Sequence, residues 1–276
     1  MKISLFGGGV DSAHYSNSID IKKFNDLVDD IGYFGVLFVY HSKDRDYLLP
    51  IVRNLDKSHS FKYILAMRAY AISPEYCNML VESFNKIAPG RLALNIVAGD
   101  LHADETVLED VVDISSTLDT TKKRTEYTRR WLDKFIKLLN RNSLSYLIVS
   151  GYSEESTASA SCYADAQLCM LSTYINEMKD QVKTKDKMAS TGIVFVDQSG
   201  NEQSEFLEKI KKENTMIYDS TIFGNEDEII LKIKQLENLG INNIMIFPVI
   251  RSQEMQMHKM AKRLIHELKE DGLWNS

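Results

Sequence analysis

Cysteine is scarce in this chain: Cys77, Cys162 and Cys169 are the three among 276 residues. Three thiols cannot build a disulfide framework, and their spacing fits no metal motif, so they read as ordinary reduced side chains. Long apolar runs are also missing. Nothing approaches the ~20 consecutive apolar residues that cross a bilayer. The chain begins Lys2-Ile3-Ser4-Leu5-Phe6, which reads as a strand and not as a signal peptide. Positive charge is not in excess: the formal net charge is −6, with acidic and basic residues intermixed. That excludes a polyanion such as nucleic acid as the expected partner. No Gly-x-Gly-x-x-Gly fingerprint, linker or low-complexity segment is present. These absences leave a cytoplasmic, metal-free protein in one domain spanning 1–276, engaging neither nucleic acid nor membrane.

What is present is alternation. Short apolar runs at 2–6, 36–40, 63–67, 92–97, 146–149, 166–171, 192–196 and 244–247 read as strands. Near-continuous apolar character fits parallel strands buried on both faces. Helical patterns separate them. Asp20 caps the first, with Phe24, Leu27, Val28 and Ile31 on one face. Others are expected through 46–57, from Pro74, over 124–139, after Ser153, over 173–185, after Gly224 and over 252–268. Met79, Leu80, Phe84 and Ile87 are expected to face inward on one of them, and Trp131, Phe135, Leu138 and Leu139 on the next. The stretch 104–117 is an acidic excursion, and 197–214 is polar with one helical face at Phe206 and Ile210. About eight strand–helix units argue for a (β/α)8 TIM barrel; the alternative is a doubly wound open sheet, which lacks its fingerprint.

The most informative stretch is 73–100. Ser73 can cap a helix and Pro74 fits its first turn. Pro89-Gly90 stops that helix, and the strand 92–97 follows with one polar interruption, Asn95. A buried amide needs partners, because leaving it unpaired costs a few kcal/mol. Asn95 finds them either in the backbone or in a ligand at the strand's C-terminal end. Two other loops carry chemistry of their own. Gly7-Gly8-Gly9-Val10-Asp11-Ser12 is similar to the pyrophosphate-cradling loop of ATP pyrophosphatases, except that Gly7 replaces a Ser and no helix follows at once. Gly151-Tyr152-Ser153-Glu154 opens a helix, which is either a plain N-cap or a phosphate site.

The helix, Gly90-Arg91, then Leu92-x-x-Asn95-x-Val97-x-Gly99, resembles the fourth β/α unit of the luciferase-like flavin monooxygenases, the alkanesulfonate monooxygenase branch in particular. Weaker similarity covers most of the chain, strongest at 20–100 and 224–247. The resemblance implies a compact TIM barrel without the long family insertions, and reduced FMN supplied by a separate reductase. It implies a reaction with O2 on a small or carrier-bound organic substrate, and a homodimer. It puts Arg68, Asn95, Ala98 and Gly99, together with Gly151, Tyr152, Ser153 and Glu154, at the flavin, the last four around its phosphate. Arg68 is expected to balance an anionic flavin or substrate. His14, His41 and Lys43 are the catalytic candidates from the first two loops. A deazaflavin is the alternative cofactor. A non-catalytic, flavin-binding partner subunit is the alternative function, and an ATP pyrophosphatase using Gly7 to Ser12 the third.

The departures lie at the catalytic end. The family's Asp-His-x-x-Arg-Tyr becomes Thr120-Thr121-Lys122-Lys123-Arg124-Thr125, and its Arg-x-His on strand seven becomes Val194-Phe195-Val196. Lys43 stands where the sulfonate branch has Cys. An apolar strand seven suits an apolar or carrier-bound substrate better than a sulfonate.

Overall fold

The computed structural model describes residues 3–10, 21–39, 48–56, 58–99, 118, 120–178, 186–196 and 201–274. His14, His41 and Lys43 lie outside these residues, as do Asp11, Ser12 and the acidic stretch 104–117.

Among the described residues, nine parallel strands form the sheet: β1 (Ser4–Val10), β2 (Gly35–Phe38), β3 (Lys62–Arg68), β4 (Leu92–Val97), β5 (Tyr146–Ser150), β6 (Ala166–Met170), β7 (Asp186–Phe195), β8 (Thr221–Gly224) and β9 (Asn243–Pro248). Each of β1 to β7 pairs with the next, β7 pairs with β9, and β9 pairs with β1. Eight strands therefore close into a (β/α)8 barrel. The ninth, β8, adds to the upper half of β7, where Gly192 pairs Thr221 and Phe195 pairs Gly224.

Around the barrel stand α1 (Ile21–Ile31), α2 (Leu48–Arg53), α3 (Pro74–Ile87), α4 (Thr121–Leu138), α5 (Glu154–Tyr163), α6 (Asn201–Glu213), α7 (Glu226–Gln235) and α8 (Glu254–Glu270). Their boundaries follow from local chemistry. Ser73 Oγ accepts from Tyr76 N at the start of α3, and Asn225 and Glu228 form a reciprocal capping box on α7. Gly90 follows α3 with φ +68°, a left-handed turn that glycine adopts without strain.

Alternation along the strands makes two cores. On β4, Leu92, Leu94 and Ile96 face the helices, where they join Val81, Phe84 and Phe135. Ala93 faces inward, and the barrel interior is filled by Phe6, Leu37, Ile64, Ile148, Met188 and Met245 around it. The centre of the barrel is thus packed, and a ligand can enter only at an end.

Several elements differ from the sequence expectation. On α3 the buried face is Cys77, Val81 and Phe84, while Met79 and Ile87 are 62% and 44% exposed. The helix carries two apolar stripes, and periodicity alone does not say which one meets the barrel. On α4, Leu132 is buried in place of Leu138. β7 starts at Asp186, six residues before the expected strand, because Ser190 and Thr191 interrupt its apolar pattern. The described part of the helix expected over 173–185 is one α-turn at Leu171–Thr173 and a π-turn at Tyr174–Met178. β8 is absent from the sequence reading.

The glycine run near the N-terminus is strand in its described part. Gly7 to Val10 continue β1, and a Cβ on Gly7 would meet Val36 Cγ2 at 2.7 Å. Gly7 therefore serves the close approach of β1 to β2, and any phosphate-cradling loop would have to begin after Val10.

Candidate functional site

Three neighbouring strands carry the polar residues that face into the C-terminal mouth. Register pairs Ala66 with Asn95 and Asn95 with Ile148, then Arg68 with Val97 and Val97 with Ser150. All six point inward by alternation from Ile64, Ala93 and Ile148. Asn95 thus lies one layer below Arg68 and Ser150, near the top of the packed interior.

Asn95 is 2% exposed. Ser150 Oγ donates to its Oδ1 at 2.7 Å, and its Nδ2 makes no hydrogen bond among the described residues. The backbone reading of this amide does not hold: its one partner is a side chain, and its donor is left facing the mouth. Ser150 was not singled out in the sequence because it ends an apolar run. Counting inward positions from Ile148 would have found it.

Arg68 ends β3, and its guanidinium extends toward Gly99. A Cβ on Gly99 would meet Arg68 Nη1 at 2.8 Å and Tyr70 Oη at 2.7 Å, and Gly99 has φ +88°. The left-handed φ favours glycine at this corner, and any larger residue would also push the two side-chain ends aside. Ala98 beside it is half-buried. From below, Arg124 is 4% exposed and donates to Gly99 O (3.3 Å), Leu118 O (3.1 Å) and Thr121 Oγ1 (3.0 Å). The arginine matching the family motif is therefore a clamp on the β4 turn and the start of α4, engaged by backbone and a threonine.

The turn after β5 is the other part of the mouth. Gly151 has φ +126°, and a Cβ there would meet Ser156 Oγ at 2.8 Å. Ser153 caps α5: its Oγ accepts from Ser156 N at 3.1 Å and donates to Ser156 Oγ at 3.1 Å. Its hydroxyl is engaged inside the helix, so what this end offers a ligand is backbone N–H. The amides of Tyr152, Glu154 and Glu155 make no hydrogen bond among the described residues, and they stand at the positive end of the helix dipole. Tyr152 is 54% exposed and Glu154 is exposed.

The rest of the mouth is less polar. Val97, Met170 and Phe247 are half-buried at inward positions, with Ser190 between them on β7. Val194 is buried, and both backbone groups of Phe195 are held by the Gln253 side chain (Phe195 N to Oε1 2.9 Å; Nε2 to Phe195 O 2.8 Å). No group of three His, Cys, Asp or Glu side chains among the described residues could hold a metal. No helix among them is long and apolar enough to cross a membrane.

No family model and no curated protein matches the sequence. Solved structures do match the fold over its whole length. A riboflavin lyase with modified FMN and riboflavin superposes with TM-score 0.74 at 10% identity, covering 100% of this chain and 93% of that one. EDTA monooxygenase from Chelativorans sp. BNC1 gives TM-score 0.73 at 9% identity, covering 100% and 95%. An F420-dependent secondary alcohol dehydrogenase in complex with an F420–acetone adduct gives 0.66 at 10% identity, covering 96% and 99%. The barrel is thus of the kind the sequence resemblance anticipated, and at these identities the likeness establishes the fold.

Proposed function

We propose that this chain is a luciferase-like oxidoreductase that binds a flavin-type cofactor at the C-terminal mouth of its barrel. The observation that carries this reading is Asn95: a buried amide with an unengaged donor, aimed into the mouth of a fold whose solved examples include FMN- and F420-bound proteins. The donor set suits such a group. Asn95 Nδ2 and Ser150 can hold a polar ring edge, the Arg68 guanidinium can balance an anionic ring, and the N–H groups ahead of α5 can receive a phosphate. Glu154 and Glu155 in the first turn of α5 compete with that phosphate for the dipole, so the backbone amides must carry its binding.

The bound flavin would supply the redox chemistry, and the protein holds it, shields it and orients the substrate. FMN reduced by a separate reductase is the cofactor proposed, with O2 as co-substrate: one oxygen atom enters an organic substrate and the other leaves as water. Val97, Met170 and Phe247 favour an apolar or carrier-bound substrate. The alternatives keep the same site: a deazaflavin in place of FMN, or a flavin-holding subunit without catalysis. A homodimer belongs to the same reading, supported by the exposed apolar stripe of Tyr76, Met79 and Ile87 on α3.

The test is anaerobic titration with FMN, reduced FMN and F420, followed by admission of O2. Reduced-FMN binding with O2 consumption supports the monooxygenase. Preference for F420 selects the deazaflavin, and FMN binding without O2 consumption selects the carrier. Binding of none of the three would overturn the reading.

A further inference from the structure

Gln167 is 0% exposed on β6, and it faces the helix layer, paired in register with Val149 on β5 and Lys187 on β7. Its Nε2 donates to Gly151 O at 2.7 Å and to Thr157 Oγ1 at 3.0 Å. Its Oε1 is buried without a hydrogen bond. An unengaged buried carbonyl costs stability, and an apolar side chain of the same shape would avoid that cost. The amide therefore sits where packing alone would not favour it.

Its geometry supplies a reason. The Gly151–Tyr152 peptide is trans, so its N–H points opposite to its carbonyl. Gln167 pulls that carbonyl into the buried layer, with Cys169 Sγ as a second donor at 3.3 Å. The Tyr152 N–H is thereby turned away from Gln167, to the open side of the turn beside the free amides of α5. The second bond, to Thr157, fixes the first turn of α5 to the same side chain. The left-handed φ of Gly151 lets the peptide adopt this orientation.

We infer that Gln167 is a positioning residue: it holds the 151–152 peptide so that the Tyr152 N–H joins the α5 amides in binding the phosphate of a flavin nucleotide. This rests on the proposed flavin site, and it assigns to a buried β6 residue the preference for phosphorylated over unphosphorylated flavin.

The experiment compares FMN with riboflavin, which lacks the phosphate, in the wild type and in Gln167→Met. The wild type is expected to bind FMN at least tenfold more tightly than riboflavin. Gln167→Met should lose at least tenfold in FMN affinity and less than twofold in riboflavin affinity, with thermal stability retained. Cys169→Ala, a milder change at the same carbonyl, should lower the FMN-to-riboflavin ratio about threefold, and Cys169→Ser should restore it. A variant that keeps the wild-type ratio would overturn the role of Gln167 and leave the flavin site standing. A wild type that does not distinguish FMN from riboflavin would overturn the phosphate site and this inference together.

Discussion

At the N-terminal end of the barrel, several polar side chains engage one another, although Arg91 Nη2 and Tyr63 Oη are buried there without a hydrogen bond; at the C-terminal end, the Asn95 donor is left facing the mouth. Tyr146 donates to Asp186, Asn242 Nδ2 reaches Asp186 Oδ1 at 2.8 Å, and Asn243 Nδ2 reaches Tyr146 Oη at 3.4 Å across the interior. Burial and the Asp186 carboxylate push the Tyr146 phenol far above its ordinary range, so it remains a donor at any working pH. Nearby, Arg141 and Leu147 N both meet Asp165. Arg91, the arginine of the Gly-Arg pair, donates to the carbonyls of Phe61 and His59 and stacks on Phe61 and Tyr63 at 5.2 and 5.3 Å. Asn95 at the opposite end has one partner and a free donor. Side-chain pairs thus tie the N-terminal end together, and at the C-terminal end an amide donor faces the open mouth. In this fold the C-terminal end is where a ligand belongs.

Four substitutions break or sharpen that contrast. The largest effect is expected at the locked end. Asp186→Leu strands Tyr146 and Asn242, and should cost about 3 kcal/mol in urea denaturation, with the flavin affinity of the folded protein unchanged. Ser153→Asp comes next. Aspartate caps a helix as well as serine, so stability should stay within about 0.5 kcal/mol. The carboxylate repels the phosphate, and FMN affinity in the titration should fall about thirtyfold, roughly 2 kcal/mol. Asn95→Leu removes one ligand-facing donor. It should weaken flavin binding about tenfold, or roughly 1.4 kcal/mol, while changing stability by less than about 1 kcal/mol.

The smallest effect belongs to neither end. Lys234 bonds Glu267 at 2.9 Å on the outer surface, holding the Glu267 carboxyl below its usual range and raising the lysine. The depressed carboxylate contributes above its unfolded pKa, and that contribution is lost as pH falls through the folded value. The raised lysine contributes below its unfolded pKa, and that contribution is lost at high pH. Lys234→Met should therefore cost about 0.5 kcal/mol near neutral pH and nothing in strong acid, in denaturation curves across pH.

The thiols offer an independent check on burial. Cys162 is exposed, whereas burial pushes Cys77 and Cys169 up to about 12. A chromogenic disulfide reagent should titrate one thiol in the native protein and three after denaturation.

The barrel was legible in the sequence because its eight strands announce themselves as short apolar runs and several helices by a cap. Ser73, Asn225 and Gly90 all do locally what their types suggest. What escaped depends on partners distant in sequence. β8 is four residues hidden ahead of a strong capping box, and only pairing with β7 makes it a strand. The inward stripe of α3 is chosen by the barrel, not by the helix. Asn95 was visible as a polar break in a strand, but Ser150, its partner 55 residues away, follows from register between β4 and β5. Gln167 was lost inside an apolar run for the same reason: its meaning lies in a carbonyl 16 residues earlier. Arg124 was visible as a motif remnant, and its engagement by Gly99, Leu118 and Thr121 emerged only from the fold.

The most direct test of the contrast between the two ends is anaerobic titration of the wild type and Asn95→Leu with reduced FMN, read by flavin fluorescence. Saturable binding by the wild type and a tenfold weaker constant for the variant would place the ligand on the unengaged donor. Equal binding by both proteins, or none by either, would contradict the claim that the open end of the barrel is a flavin site built on Asn95.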